Sequence, residues 1–174
     1  STQYLGVKPY GIEQFSQLFT NRQLVALTTF SELVQEVRKR VKCDAIDGRA
    51  TSDSDELANG GSGTTAYADA VAVYLGFVVS SLTDRLSTIC IWDVGGPTWG
   101  TKLNHVFGRQ AIPMSWDFAE ANPLSTQSGS FWNSLDYTSK GINVAGGKPG
   151  IVNLADAAKQ EWTKDKLVST DPPY

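Results

Sequence analysis

The chain is poor in histidine and cysteine, has no excess of basic charge, and carries no phosphate-binding glycine loop. His105 is the sole histidine. A Ser-His-Asp relay, a zinc cluster or a phosphotransfer histidine therefore lacks supporting partners, and an exposed or hydrogen-bonded histidine is the simpler reading. Cys43 and Cys90 are the two cysteines, with no Cys-x-x-Cys spacing between them. Two free thiols in a reducing cytosol follow, and no metal site is expected. Lys and Arg number 15 against 18 Asp and Glu, for a net charge of −3. A DNA-binding surface normally shows a basic excess, and that footprint is missing. Gly146-Gly147-Lys148 follows no strong strand, and Pro149 stands where a phosphate loop needs Ser or Thr. A flexible turn is expected there. The apolar run Ala66–Leu82 contains Asp69 and is shorter than a usual membrane span. It reads as a buried core helix, not a membrane anchor. No secretory signal is recognisable, and a cytoplasmic location is expected.

What remains is enough to fold. The chain has 174 residues, 41% of them apolar, which suffices for one domain with a core. No internal repeat is present. Residues 1–18 read as an arm or connection, and residues 19–123 as a helical subdomain. Thr20 with Gln23 forms a capping-box pattern, and Phe19 with Leu24 occupies the staple positions. Leu27, Phe30, Val34, Val37 and Val41 then recur at steps of three and four, which places them on one helix face. Arg38, Lys39, Arg40 and Lys42 are expected in the last turn, where the helix dipole favours cations. A mobile loop is expected over 47–63. A second helix is expected from Thr64 or Thr65 to about Arg85, facing inward through Tyr67, Val71, Tyr74, Val78 and Leu82. Ser87–Trp92 fits a short strand or a helix extension, and Asp93–Gly100 a turn. Lys102–Gln110 reads as helical. Pro113 can start another short helix, with Trp116, Phe118 and Ala119 inward and Asn122-Pro123 as its end. Residues 124–150 read as a Gly/Ser-rich loop anchored by Phe131, Trp132 and Tyr137. Residues 151–174 read as a β-turn-β segment, with strands at Ile151–Leu154 and Leu167–Thr170 around a helical turn at Asp156–Trp162.

The run Asp171-Pro172-Pro173-Tyr174 resembles a motif of enzymes that act on the exocyclic amine of a nucleobase, and the resemblance implies a role for each residue. In a chain of this length its chance occurrence is roughly one in a thousand. An aromatic amine is a poor nucleophile because its lone pair is delocalised into the ring. The Asp171 carboxylate and a carbonyl beside Pro172 can each accept one N–H of such an amine, favouring a pyramidal nitrogen and stabilising developing positive charge. Proline lacks an N–H and has a fixed φ, so a Pro-Pro step holds those carbonyls stiffly. Tyr174 supplies a flat face for a base swung out of the duplex. In open α/β sheets such a motif belongs at the carboxyl end of a strand. A proline-rich turn, or a peptide read by a proline-binding domain, is the alternative reading of the same residues.

These residues resemble the catalytic motif of the amino-methyltransferases. Further blocks are similar to large prokaryotic adenine-specific DNA methylases that carry an N-terminal domain of unknown function, DUF1156. They are Phe19-Thr20-Asn21-Arg22-Gln23-Leu24 with Leu27-Thr28-Thr29-Phe30, Tyr67 through Leu75, Pro113 through Pro123, and Thr170 through Tyr174. The resemblance implies methyl transfer from S-adenosylmethionine to the exocyclic amine of adenine, with DNA bound by the full-length protein. Restriction or phage defence is the natural setting. It implies an α-rich α+β fold, a helical insert followed by the end of a Rossmann-like methyltransferase sheet that is incomplete in this chain. In that family a Gly-rich cofactor loop lies far upstream, and no equivalent run occurs here. A fragment of a larger enzyme, inactive alone, is therefore expected.

Several other residues are candidates. Asp156, in Ala155-Asp156-Ala157, resembles the point where such enzymes approach the cofactor's adenine; capping the turn that follows is an equal alternative. Trp116, Asp117, Glu120 and Asn122 are candidate cleft-lining residues. On a helix Asp117 and Glu120 share a face, and a solvated face is the common outcome of that spacing. A different function class also fits. The helical bulk from Phe19 to Asn122 can serve as a non-catalytic recognition module or protein-interaction surface, including a homodimer. Its acidic balance favours protein contact over phosphate contact.

Overall fold

The computed structural model describes residues 8–48, 54–95, 102–106, 115–144, 155, 156, 159 and 167–169. The chain divides into two units, Ser1–Val144 and Ala145–Tyr174. The first unit is helix-rich. Its helices are α1 (Asn21–Asp47), α2 (Thr64–Thr83) and α3 (Phe131–Val144), and its strands β1 (Trp92–Asp93) and β2 (Lys102–Leu103) form a small antiparallel hairpin.

Helix α1 starts where its capping code places it. The Thr20 hydroxyl accepts from the Gln23 amide, and the Gln23 side chain accepts from the Thr20 amide at 2.9 Å. Two amides that the helix cannot pair are thereby satisfied. Leu27 and Val34 on the expected face are buried, and Phe30, Val37 and Val41 are half-buried. The helix does not stop at the basic cluster. It continues to Asp47, so Arg38 through Lys42 lie inside it and the last turn carries no cation. Arg38 is drawn instead to Asp69 of α2.

Leu27 shares a core cluster with Leu82 and Leu86, and Arg38 meets Asp69, so α2 runs antiparallel to α1. The inward face of α2 matches the expected one at Val78 and Leu82 and departs from it at Tyr67 and Tyr74. Ala66, Ala68, Val78 and Leu82 are buried, whereas Tyr67 and Tyr74 are exposed. A helix apolar nearly all round gives no periodic signal to fix its rotation. Small residues at Ala66 and Ala68 suit close approach, and the aromatics turn outward. By length and composition α2 could cross a bilayer. Its Asp69 ion pair to α1, and the packing of α1 and α3 along it, are those of a helix in a bundle.

Three segments depart from expectation. Residues 131–144, assigned to a loop, form α3. The Ser130 hydroxyl accepts from the Asn133 amide at 3.1 Å, and Phe131 stacks on Phe30 with ring centres 5.0 Å apart. Packing supplies what a Ser-, Thr- and Gly-containing sequence lacks in intrinsic helix preference. Lys102 and Leu103, expected to open a helix, are strand residues, with Leu103 opposite Trp92 and Lys102 opposite Asp93. The helix expected from Pro113 is absent over 115–122. There the chain is irregular, with a bend at Trp116 and Asp117; the Ala119 amide donates to the Cys90 carbonyl at 2.8 Å and the Asn122 side chain accepts from the Leu124 amide at 3.0 Å. These bonds replace a helical ladder.

A second core cluster joins Leu18, Ile89, Cys90, Leu103, Val106 and Ala119; Phe19 and Ala121 border both clusters. Leu18 thus belongs to the core and not to an arm. Its carbonyl accepts from the amide and hydroxyl of Thr88, at 2.8 and 2.9 Å. Arg85 Nη1 donates to the Leu103 carbonyl and to the Ser128 hydroxyl, both at 3.2 Å, tying the hairpin to the turn before α3.

In the second unit the described residues include no strand. Leu167, Val168 and Ser169 are exposed, Leu167 fully so, which corrects the expectation of a buried strand at Leu167–Thr170. A strand needs a partner for its amides and a layer to bury one face, and these residues bury neither. Among the described residues the sheet is the two-stranded β1–β2 pair, and nothing in them shows a Rossmann-like sheet. Ile151–Leu154 and residues 170–174 lie outside the described residues.

Candidate functional site

The terminal motif Asp171-Pro172-Pro173-Tyr174 lies outside the described residues, so its support rests on its residue types. The other candidates have definite places. Asp156 is exposed and its carboxylate stands 3.5 Å from Lys159 Nζ. The Lys159 amide donates to the Asp156 carbonyl at 3.0 Å, which makes Asp156 the start of a single turn. Among the described residues Asp156 alone bears on the expected S-adenosylmethionine contact. The one expected acceptor is exposed and pairs with a lysine, and no glycine-rich cofactor loop occurs in the sequence.

The 116–122 block is spread along an irregular segment, and its members turn to different partners. Trp116 is 94% exposed, and Asp117 is exposed beside it. The Ser115 hydroxyl donates to the Asp117 carbonyl at 2.8 Å and braces the tip. Glu120 is taken by Arg22 of α1. Arg22 Nε donates to both carboxylate oxygens, at 2.8 and 2.9 Å, and Nη2 donates to Oε2. Those hydrogen bonds first, and the opposite charge second, raise the Arg22 pKa above its ordinary value. Asn122 is spent on the Leu124 amide. The pairing of Asp117 with Glu120 as two carboxylates on one helix face is thus absent, since no helix forms there.

His105 Nδ1 lies 3.4 Å from Asp84 Oδ2, with His105 half exposed. Cys90 is buried, with its sulfur 3.4 Å from the Ser87 hydroxyl, and Cys43 is exposed on α1. Among the described residues no three of His, Cys, Asp and Glu come together as metal ligands.

One polar junction escaped the sequence reading. Asp69 of α2 accepts Arg38 Nε of α1 at 2.6 Å on Oδ1 and the Leu57 amide at 3.0 Å on Oδ2. Its side chain is only 14% exposed. The Leu57 hydrogen bond, which outweighs the opposing effect of burial, and the Arg38 guanidinium hold the carboxyl below its ordinary pKa. Beside it lies an open cleft of about 480 Å³. A lone acid in an apolar helix was the available signal; its partners stand 12 and 31 residues away.

The outer side of α2 is an exposed apolar feature of the described residues. Tyr67, Val73, Tyr74 and Phe77 are exposed there, and Tyr74 meets Phe77 edge-to-face at 6.2 Å between ring centres. Positions 67, 70, 74, 77 and 81 form one stripe at helical spacing, and none carries a charge. Comparison with known protein families, with curated proteins and with solved structures finds no match to this chain.

Proposed function

We propose that this chain carries the base-gripping segment of an S-adenosylmethionine-dependent DNA adenine methyltransferase, with the cofactor loop lying outside this sequence. The run Asp171-Pro172-Pro173-Tyr174 is the single observation that supports this reading, and the similar blocks at 19–30, 67–75 and 113–123 accompany it. Asp171 accepts one N–H of the flipped base's amine, a carbonyl beside Pro172 accepts the other, and Tyr174 stacks on the ring. The exposure of Leu167 and Val168 removes a sheet edge from the support, so the argument stands on residue chemistry.

The test is Asp171→Ala in the full-length protein, with transfer of a labelled methyl group to DNA as the readout. A loss of about a hundredfold or more is expected from removing an acceptor matched to the transition state. Full activity would take Asp171 out of the mechanism. For this chain alone, calorimetry with S-adenosylmethionine is expected to give no binding heat. A clear heat would show that the glycine loop is dispensable.

A second reading rests on the uncharged stripe of α2. Exposed aromatics without charges among them favour protein association over phosphate contact. In this reading the helical unit is an interaction module. Light scattering across a concentration series is expected to show self-association that Phe77→Asp abolishes. A strictly monomeric chain that shifts DNA in a salt-dependent way would overturn this second reading.

A further inference from the structure

We propose that Asn59-Gly60 is a self-modifying step of the native chain, at which the asparagine side chain closes on the next amide and reopens as aspartate and isoaspartate. The reaction needs an accessible side-chain amide, a following N–H to lose, and little bulk on the following residue. Asn59-Gly60 is the sole Asn-Gly step in the sequence. Both residues are exposed, where the short 3-10 turn Leu57–Asn59 ends. Gly60 has a left-handed φ of +82°, and no atom lies within 4 Å of its Cβ position, so the glycine is open to solvent on that side.

The Gly60 N–H proton passes to hydroxide, the nitrogen bonds to Asn59 Cγ, and the Cγ–Nδ2 bond breaks with loss of ammonia. Water then opens the cyclic imide. Attack at Cγ gives an ordinary aspartyl peptide; attack at the main-chain carbonyl gives isoaspartate, whose backbone is one methylene longer. The Gly60 amide donates to the Leu57 carbonyl at 3.1 Å, and that hydrogen bond has to break first, so the native turn reacts more slowly than the unfolded chain. The other asparagines are worse placed. Asn122 precedes Pro123, which has no N–H to lose. The rest precede Arg22, His105, Ser134, Val144 and Leu154, whose side chains crowd the attack. The product changes the turn. The amides of Asn59 and Gly61 both donate to the Glu56 carbonyl at 3.0 Å, and a methylene inserted between them disrupts that pairing. The new carboxylate also joins the exposed Asp55 and Glu56, beside the cleft that Leu57 and Ala58 help to line.

Peptide mapping by mass spectrometry tests the site, with the whole chain incubated in mildly alkaline buffer, folded and in urea. In the folded chain the Asn59 peptide is expected to gain the mass difference between an amide and an acid, in two separable isomers. Its rate should exceed that of every other asparagine by about tenfold or more. Isomerisation at Asp47-Gly48 leaves the mass unchanged and is not counted. Gly60→Ala places a methyl group in open space and is expected to slow the conversion about tenfold or more, in urea as well as in buffer. The slowing in urea separates crowding of the reaction from any change in the fold. Conversion of Asn59 in urea with none in the folded chain overturns the proposal. So does another asparagine leading in the folded chain, or a Gly60→Ala rate equal to the original.

Discussion

Gly129→Ala isolates a close approach that holds the turn before α3 against the end of α2. Gly129 has a φ of +85°, and a Cβ built there lies 2.8 Å from the Ala121 Cβ. Gly60 has nearly the same φ, +82°, with no atom within 4 Å of its Cβ position. Both replacements therefore share one cost, about 1 kcal/mol for an L residue in the left-handed region. Only Gly129 adds a carbon–carbon contact well inside the ordinary separation of about 3.5–4.0 Å. Overpacking of that kind costs about 1–3 kcal/mol more. The expected losses are thus about 2–4 kcal/mol for Gly129→Ala and about 1 kcal/mol for Gly60→Ala. Urea unfolding followed by far-ultraviolet circular dichroism reads both. Ala121→Gly removes the opposing methyl, so a four-member cycle should show a favourable coupling of at least about 1 kcal/mol between the two changes. Equal losses at Gly60 and Gly129, or a coupling near zero, would refute the packing argument.

Leu82 is fully buried between α1 and the 86–131 region, so Leu82→Ala should lower stability by about 3–4 kcal/mol in the same assay. A loss under about 1 kcal/mol would contradict the core assignment. One thiol, Cys43, should react with a thiol reagent in the native protein, and Cys90 only after denaturant is added; two fast thiols at once would count against the burial of Cys90. Asp69 has a depressed folded pKa, so its stabilising contribution is complete above the unfolded value of about 3.9. It should vanish as pH falls from there through the lower folded value. Asp69→Asn is expected to flatten the fall of the urea midpoint over that acidic range, and an unaltered slope would exclude Asp69 from the acid response.

The parts of the fold that could be read from residue order share a short range. Thr20 and Gln23 satisfy each other's amides within one turn, and Leu27 to Val41 repeat at helical spacing, so α1 needs no distant partner to declare its start and its face. α3 carries a local signal, the Ser130 hydroxyl accepting from the Asn133 amide, set within a run rich in Ser, Thr and Asn. The stretch from Lys102 misled because nine residues of mixed periodicity fit a helix or a strand equally. The candidate block at 116–122 was legible as a set of residue types but not as an arrangement. Glu120 is claimed by Arg22, 98 residues away in the sequence, and Trp116 is left in solvent.

Residue order alone determined that this chain is helix-rich, that α1 begins at a capping box, that an acid sits within an apolar helix, and that Asp171-Pro172-Pro173-Tyr174 stands as a run of one acid, two prolines and a tyrosine. Each is a matter of residue type and spacing within a few positions. Tertiary structure alone decided how α2 is rotated, that Phe131 stacks on Phe30, that Leu103 pairs with Trp92, and that Asp69 joins α1 to the 54–60 turn. Those outcomes depend on which surfaces meet. Burial energy and charge pairing act between groups that the backbone brings together from 11 to 98 residues apart, beyond the reach of any local pattern.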